Sequence, residues 1–155
     1  QALTQRLDAL NERREALALA RQTLSQANAA LAERFSPRLV REASAIFSEL
    51  TGGRYARVQL SRQMEPEAAQ PDAAMHRARF LSGGTVDELY LSVRLAVCRL
   101  LLPEDAPVLL DDALVMFDDD RLRLALHLLR REAETRQILL FTCQSREKRC
   151  LSADG

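Results

Sequence analysis

The stretch Pro107–Asp112, with the sequence PVLLDD, is a short apolar run that ends in two carboxylates. A continuous apolar run of this length is typical of a strand buried in a parallel sheet. Apolar residues at helical spacing precede it up to Pro103, and others follow it from Leu122 to Ala133. A second apolar run, Ile138–Phe141, comes next. This alternation of helices and apolar strands predicts an α/β fold.

The N-terminal segment carries a heptad pattern. Leucine recurs every seven residues, at Leu3, Leu10, Leu17, Leu24 and Leu31. The interleaved positions that complete the 3-4 spacing of a coiled coil are Leu7, Arg14, Arg21, Asn28 and Phe35, of which three are polar. We therefore expect residues 1–36 to form a coiled-coil helix. An amphipathic helix lying on the domain's own core is the alternative. Pro37 is expected to end or kink the helix.

The chain between Pro37 and residue 81 is expected to be mixed in structure. Apolar spacing predicts a helix from Arg38 to Leu50, and Thr51–Gly53 should stop it. Residues 54–60 alternate in the way that a half-buried strand does. Residues 61–76 contain two prolines, so we expect a loop or a loosely ordered hairpin there.

Composition bounds the class of protein. The 155 residues are 47% hydrophobic and can bury one core, and the formal net charge is zero. The chain therefore has no overall basic field directed at DNA, RNA or an anionic membrane. No bilayer-spanning stretch or signal-peptide pattern is present, so we expect no membrane association and a cytoplasmic location. The three cysteines are expected to be buried free thiols. The first residue is glutamine, and we expect a fragment or excised domain.

The segment Leu81–Thr85, with the sequence LSGGT, directly precedes a strongly amphipathic helix. Two glycines allow a tight turn and a close approach of the backbone to a ligand. A helix N-terminus offers unpaired N–H groups and partial positive charge. These features predict an anion site, for which phosphate is a common occupant. A loop-to-helix junction capped by a hydroxyl is the alternative.

Acidic residues follow the first apolar strand. Asp111 and Asp112 are expected at the carboxyl edge of the sheet, where ligands bind in α/β proteins. One carboxylate there can hold Mg²⁺ through its water shell, and the other can orient or deprotonate a water. Farther along, Asp119 can cap the next helix and leave Asp118 free to contact a partner across a groove. Simple capping of a strand–helix loop is the alternative.

Together these segments resemble ABC-type ATPase heads of the RecF, SbcC and SMC class. Leu81–Thr85 resembles the ABC signature motif, and Val108–Asp112 resembles the Walker B strand. The loop through Asp118 is similar to the D-loop, and Ile138–Gln144 is similar to the strand leading into the switch loop. The residues of the signature and Walker B segments most resemble those of bacterial YhaN-like ATPases. Over roughly residues 80 to 145, the resemblance implies half of an ABC ATPase head.

The resemblance also implies a role for each matching residue. The residues that would contact, in trans, the γ-phosphate of ATP bound to a second head are Ser82, Gly83, Gly84 and Thr85. Asp111 would support Mg²⁺ through water, and Asp112 would position the attacking water where most relatives carry glutamate. Asp118 would cross the interface between two heads. Gln144 occupies the position of a γ-phosphate-sensing histidine, and glutamine cannot become cationic.

One half of such a site is missing from the sequence. A P-loop needs the pattern GxxxxGK[ST], and the only lysine, Lys148, has no glycine near it. The resemblance therefore implies that an N-terminal Walker A lobe of the same protein completes the head, and that residues 37–155 form the C-terminal lobe. The expected cofactors are ATP and Mg²⁺. A second head in a homodimer is an expected partner, and a nuclease and DNA follow from kinship alone.

Two other functions remain open at this point. A non-hydrolysing dimerisation module would use nucleotide as structural glue, and Gln144 and Asp112 favour it. An acid-rich metal hydrolase would use Asp111, Asp112 and Asp118–Asp120. In the ATPase interpretation, the chain alone should not hydrolyse ATP, and it should expose an apolar face that the Walker A lobe covers.

Overall fold

The computed structural model describes residues 2–61, 65–103 and 105–153. The chain divides into two compact units, residues 1–37 and 38–155. The elements in chain order are α1 (Ala2–Leu50), β1 (Arg57–Leu60), β2 (Pro66–Ala69), β3 (His76–Arg77), a short 3₁₀ helix (Ala78–Phe80), α2 (Gly83–Leu101), β4 (Val108–Asp111), α3 (Asp119–Glu132), β5 (Ile138–Phe141) and α4 (Ser145–Ala153).

The first unit is helical. Its heptad leucines Leu7, Leu10, Leu17 and Leu24 are between 58% and 66% exposed. A seam of this kind is stabilised when a second helix covers it. Within the first unit, these leucines therefore form an uncovered apolar seam. Leu3 and Leu31 lie outside the residues whose side chains are described.

Pro37 does not end the helix, because α1 runs through it to Leu50. The prediction of a separate helix from Arg38 is therefore wrong. An internal proline costs one backbone hydrogen bond. Burial of the residues that follow on one face of α1 offsets this cost, and those residues are Leu39, Ala43, Ile46, Phe47 and Leu50.

The second unit contains two small sheets. β1, β2 and β3 pair in that order as an antiparallel sheet, in which Val58 is opposite Ala68. The strand predicted over 54–60 begins later, at Arg57. For the segment from residue 61, the expectation of a hairpin rather than a loop is confirmed, because β2 and β3 pair antiparallel. β4 and β5 pair in parallel, with Leu109 opposite Leu139. The parallel pairing and the alternation with helices confirm the α/β fold.

One face of the parallel sheet is exposed in this chain. Val108 and Leu110 are buried, but Leu109 is 62% exposed. On β5, Leu139 and Phe141 are 38% and 53% exposed. The prediction that both strands are fully buried is therefore wrong for this chain, because only one of the two faces is covered.

Two smaller observations complete the description. Among the described residues, no helix is long and apolar enough to cross a membrane.

The three cysteines are free, as expected, but Cys143 is exposed while Cys98 and Cys150 are half-buried. The prediction of buried thiols is therefore wrong, most clearly for Cys143.

Candidate functional site

The segment Leu81–Thr85 forms the entry to α2. Ser82 occupies the N-cap position with extended backbone angles, φ −66° and ψ 153°, but its side chain does not cap the helix. Its Oγ lies 2.8 Å from Oγ1 of Thr85. Because Ser82 is turned toward Thr85, its side chain leaves the N–H groups of the first turn to another acceptor. This geometry suits an anion.

Gly84 is required by the close passage of an arginine. A Cβ at Gly84 would lie 2.2 Å from Nη1 of Arg121 and 3.2 Å from the backbone oxygen of Met116. A Cβ at Gly83 would meet only Cε of Met116, at the ordinary contact distance of 3.9 Å. Packing therefore restricts Gly84 to glycine but leaves room for a side chain at Gly83.

This difference predicts opposite outcomes for two neighbouring substitutions. Gly84→Ala should displace the Arg121 guanidinium and lower the free energy of unfolding by about 1–3 kcal/mol, the usual cost of overpacking. Gly83→Ala should be neutral or slightly stabilising, because alanine favours helix and has room here. Urea denaturation of both variants at one pH measures the difference. Equal losses for the two variants would refute the assignment of Arg121 as the cause.

Arg121 connects the start of α2 with the start of α3. Its Nη2 donates to Oγ1 of Thr85 at 3.2 Å, and its Nη1 lies 3.5 Å from Oδ2 of Asp118. Its Nε lies 3.3 Å from Oε1 of Glu88, which is an ion-pair distance. One guanidinium therefore holds a hydroxyl and two carboxylates together.

Glu88 is a buried carboxyl whose charge is poorly compensated. Its side chain is 1% exposed, and among the described residues neither of its oxygens accepts a hydrogen bond. Burial raises the pKa of Glu88 from 4.5 to about 7, although Arg121 acts to lower it; Asp118 adds to the rise and Arg54 opposes it. The carboxyl therefore changes its protonation state near neutral pH.

Asp118 caps α3, which corrects the prediction that Asp119 is the cap. Oδ1 of Asp118 accepts a hydrogen bond from the backbone N–H of Arg121 at 2.9 Å. Asp119 is the first residue of the helix. The Asp118 side chain is nevertheless 61% exposed, so its outer oxygen faces solvent as well as Arg121.

The two acids after β4 lie at the carboxyl edge of the parallel sheet, as predicted. Asp111 ends the strand and is exposed. Asp112 has a positive φ of 45°, an uncommon conformation for a residue other than glycine. This backbone turn lets Oδ1 of Asp112 accept a hydrogen bond from the backbone N–H of Cys143 at 3.1 Å. The Asp112 carboxylate also raises the pKa of the exposed Cys143 thiol, mainly by accepting its hydrogen bond.

Gln144 follows β5 and is half-buried. Its backbone N–H donates to Oγ1 of Thr142 at 3.1 Å. Since Cys143 is its neighbour, the contact between Cys143 and Asp112 brings the Gln144 segment beside the acid. The structure therefore brings together Asp112 and the Gln144 segment in one cluster.

Ser82–Thr85 and Asp118, joined by Arg121, form another cluster, called the first cluster below because it begins earlier in the chain; Asp111, Asp112 and the Gln144 segment are the second cluster. Sequence reasoning missed Arg121 and Glu88, because their pairing joins segments more than 30 residues apart. The only local signal was an acid, Glu88, on the apolar face of α2. The residues 113–117 connect the two clusters along the chain.

The arrangement of the acidic side chains bears on whether the chain can hold a metal ion. Within residues 2–61, 65–103 and 105–153, no group of three or more His, Cys, Asp or Glu side chains is arranged to hold a metal ion. Asp111 could still hold Mg²⁺, because Mg²⁺ keeps several waters and is often bound through one carboxylate and nucleotide phosphates.

Several solved structures share this fold. A structure of an SMC ATPase, described for ATP-driven dimerization and DNA-stimulated activation, matches with a TM-score of 0.65 at 20% identity, over 79% of this chain and 76% of that chain. The Smc head domain of Pyrococcus furiosus, with an extended coiled coil and the C-terminal domain of ScpA bound, matches with a TM-score of 0.60 at 18% identity, over 91% and 38%. The SMC head domain from Thermotoga maritima gives 0.58 at 18%, over 78% and 44%.

A curated protein is similar in sequence as well. The uncharacterized protein YhaN of Bacillus subtilis (strain 168) is 36% identical over 115 residues, which is 72% of this chain and 12% of YhaN. The chain thus spans a small part of that relative's length. No protein-family model matches. The described part of the chain has the fold of the SMC ATPase head domains, and the motif-based resemblance is thereby confirmed at the level of the fold.

Proposed function

We propose that this chain is the C-terminal half of an ATP-binding and ATP-hydrolysing head of the SMC and SbcC kind, acting in ATP-driven head dimerisation. Residues 37–155 would be the lobe, and residues 1–36 the returning helix of a coiled coil. The observation that carries the proposal is the pair of clusters at the entries to α2 and α3 and at the ends of β4 and β5. They match the signature, D-loop, Walker B and switch positions that the resemblance implies.

The first cluster supports an anion contact in trans. Ser82 and Gly83 are exposed at the N-terminus of a 19-residue helix, where N–H groups and the helix dipole favour a phosphate. Thr85 is buried, so we assign its hydroxyl to orienting Ser82. Because Gly84 has no side chain, the Arg121 guanidinium can lie beside the loop. The exposed carboxylate of Asp118 would contact the surface of a second head.

The second cluster supports the chemistry of hydrolysis in cis. Asp111 would hold Mg²⁺ through water, and Asp112 would orient the attacking water. Gln144 would contact the γ-phosphate as a neutral donor. When bound, Mg²⁺ would neutralise charge on the phosphates and orient them for in-line attack. The lysine for the β- and γ-phosphates would come from a Walker A lobe.

The exposed face of the parallel sheet is where we expect that lobe to dock. Leu109, Leu139 and Phe141 lie side by side on paired strands and are exposed in this chain. Apolar surface of this kind is stabilised when a partner covers it. The lobe would thereby place its P-loop near Asp111, at the end of the same strands.

This docking predicts a complex that can be broken at one residue. The chain mixed with its N-terminal Walker A lobe should sediment as a stoichiometric complex and melt at a higher temperature than the chain alone. Phe141→Glu should abolish the complex, because a charge would be buried in an apolar interface. Leu19→Glu, at an exposed leucine of the first unit, is the matched control and should leave the complex intact. Failure of the wild-type mixture to form a complex would refute the half-head arrangement.

A non-hydrolysing dimerisation module is the second candidate function. Two features favour it: Gln144 stands where the resemblance implies a histidine, and Asp112 already accepts a hydrogen bond from the backbone N–H of Cys143. In that case the completed head would bind ATP and dimerise without turnover. The proposal of an ATPase half-head also includes the following points. The heads would form a homodimer in the cytoplasm, and a second helix would cover the exposed heptad leucines. The role would be with DNA or a nuclease, in DNA repair or chromosome maintenance.

A further inference from the structure

Arg146 occupies an unusual position between the two clusters. It lies in the first turn of α4, two residues after Gln144, and its side chain is only 21% exposed. Its guanidinium does not extend into solvent but turns toward the connection between β4 and α3.

The guanidinium is held by three backbone carbonyl groups of that connection. Nη1 donates to the oxygen of Phe117 at 2.5 Å, and Nη2 donates to the oxygens of Leu114 at 3.0 Å and Val115 at 3.1 Å. A planar guanidinium can satisfy several acceptors at fixed angles, which the point charge of a lysine cannot do. One side chain therefore fixes a loop that begins at Asp112 and ends at Asp118.

The neighbours of Arg146 strengthen this arrangement. Leu114 and Phe117 are 1% and 2% exposed, so the same loop is also held by two side chains that are buried in the core. Oε1 of Glu147 lies 3.7 Å from Nε of Arg146, and that carboxyl is itself buried. The three carbonyl contacts therefore fix the orientation of the guanidinium, while its Nε has no hydrogen-bond partner among the described residues.

We propose that Arg146 is a positioning residue that couples the position of Asp118 to the conformation of the Gln144 segment. A shift of the Gln144 segment that follows the γ-phosphate would move the start of α4, and with it the three carbonyl groups. The loop would carry Asp118 with it. Nucleotide state in one head would thus be transmitted to the surface that meets the other head. This inference rests on the proposed function.

The test compares Arg146→Ala with Arg149→Ala, a change at an exposed arginine on the same helix. In the chain alone, Arg146→Ala should raise hydrogen exchange at residues 114–118 while exchange in α2 and α3 stays unchanged. In the mixture with the Walker A lobe, it should lower kcat for ATP by about 10- to 100-fold, the usual effect of a misplaced group. KM for ATP should stay within about twofold, because the contacts that bind nucleotide in cis remain. Arg149→Ala should change none of these values.

Arg146→Lys provides the second variant if the alanine variant does not fold. Lysine keeps the charge but lacks the planar guanidinium. Both the hydrogen exchange at residues 114–118 and the kcat of this variant should therefore lie between those of Arg146→Ala and wild type. Unchanged exchange at residues 114–118 would overturn the proposal, and so would unchanged kcat with raised exchange. If the wild-type mixture shows no turnover, the proposed function fails, and exchange alone then decides whether Arg146 holds the loop.

Discussion

Asp112→Asn is expected to lower kcat for Mg-ATP turnover by the completed head by about 100-fold or more, the usual contribution of a positioned general base. The change removes the charge that would orient the attacking water in the proposed function. Asparagine is among the residues that best tolerate a positive φ, so the backbone at φ 45° should be retained. Its amide oxygen can still accept the hydrogen bond from the N–H of Cys143. The measurement is steady-state phosphate release from the mixture of the two lobes.

A matched control separates the loss of this carboxylate from a general change in charge. Asp105→Asn alters an exposed acid in the loop before β4, and should leave kcat within about twofold of wild type, as most surface substitutions leave the fold unaffected. Equal activity of Asp112→Asn and wild type would exclude Asp112 as the water-positioning residue. Binding of ATP should survive in Asp112→Asn, since Asp111 is unchanged.

Glu88→Gln is expected to stabilise the chain at pH 8 by about 3 kcal/mol, the free-energy equivalent of a pKa raised from 4.5 to about 7. The folded state holds the Glu88 proton more tightly than the unfolded state does. The contribution of Glu88 to stability is therefore full below pH 4.5 and is lost as the pH rises through about 7. Above that pH the chain must bury a charged carboxylate, which glutamine avoids.

Urea denaturation between pH 5 and pH 8 measures this prediction as a difference between the variant and wild type. The difference should be small at pH 5 and grow toward pH 8. Glu134→Gln, at an exposed position on the turn after α3, should show no such dependence. A difference that is the same at both pH values would contradict the assignment of Glu88 as the titrating group.

Much of the fold follows from the periodicity of apolar residues. The spacing from Val86 to Leu101 predicted α2, and the apolar runs predicted β4 and β5, because buried elements repeat with the period of their backbone. The sequence left β2 undecided between a loop and a hairpin because Pro66 and the alanines of that strand are poor strand formers, and pairing with β1 overrides this weak propensity. α4 was missed because it is short and mostly polar.

Less of the site could be predicted, because its contacts are not local. The motifs located Ser82, Asp112 and Asp118, and each lies at the end of a helix or strand, as expected. Which of three consecutive aspartates caps α3 depends on the backbone angles of Asp118, and the sequence does not contain them. The contacts of Arg121 and Arg146 join segments separated by about 30 residues. Such pairs cannot be recognised without the fold.

The central claim, that this chain is half of an ATPase head, is tested most directly by Mg-ATP turnover of the chain alone and of the chain mixed with its Walker A lobe. We predict no turnover by the chain alone and turnover by the mixture, because no lysine in a P-loop is present among the 155 residues. Binding of ATP by the mixture without turnover would favour the non-hydrolysing dimerisation module. Turnover by the pure chain alone would contradict the account.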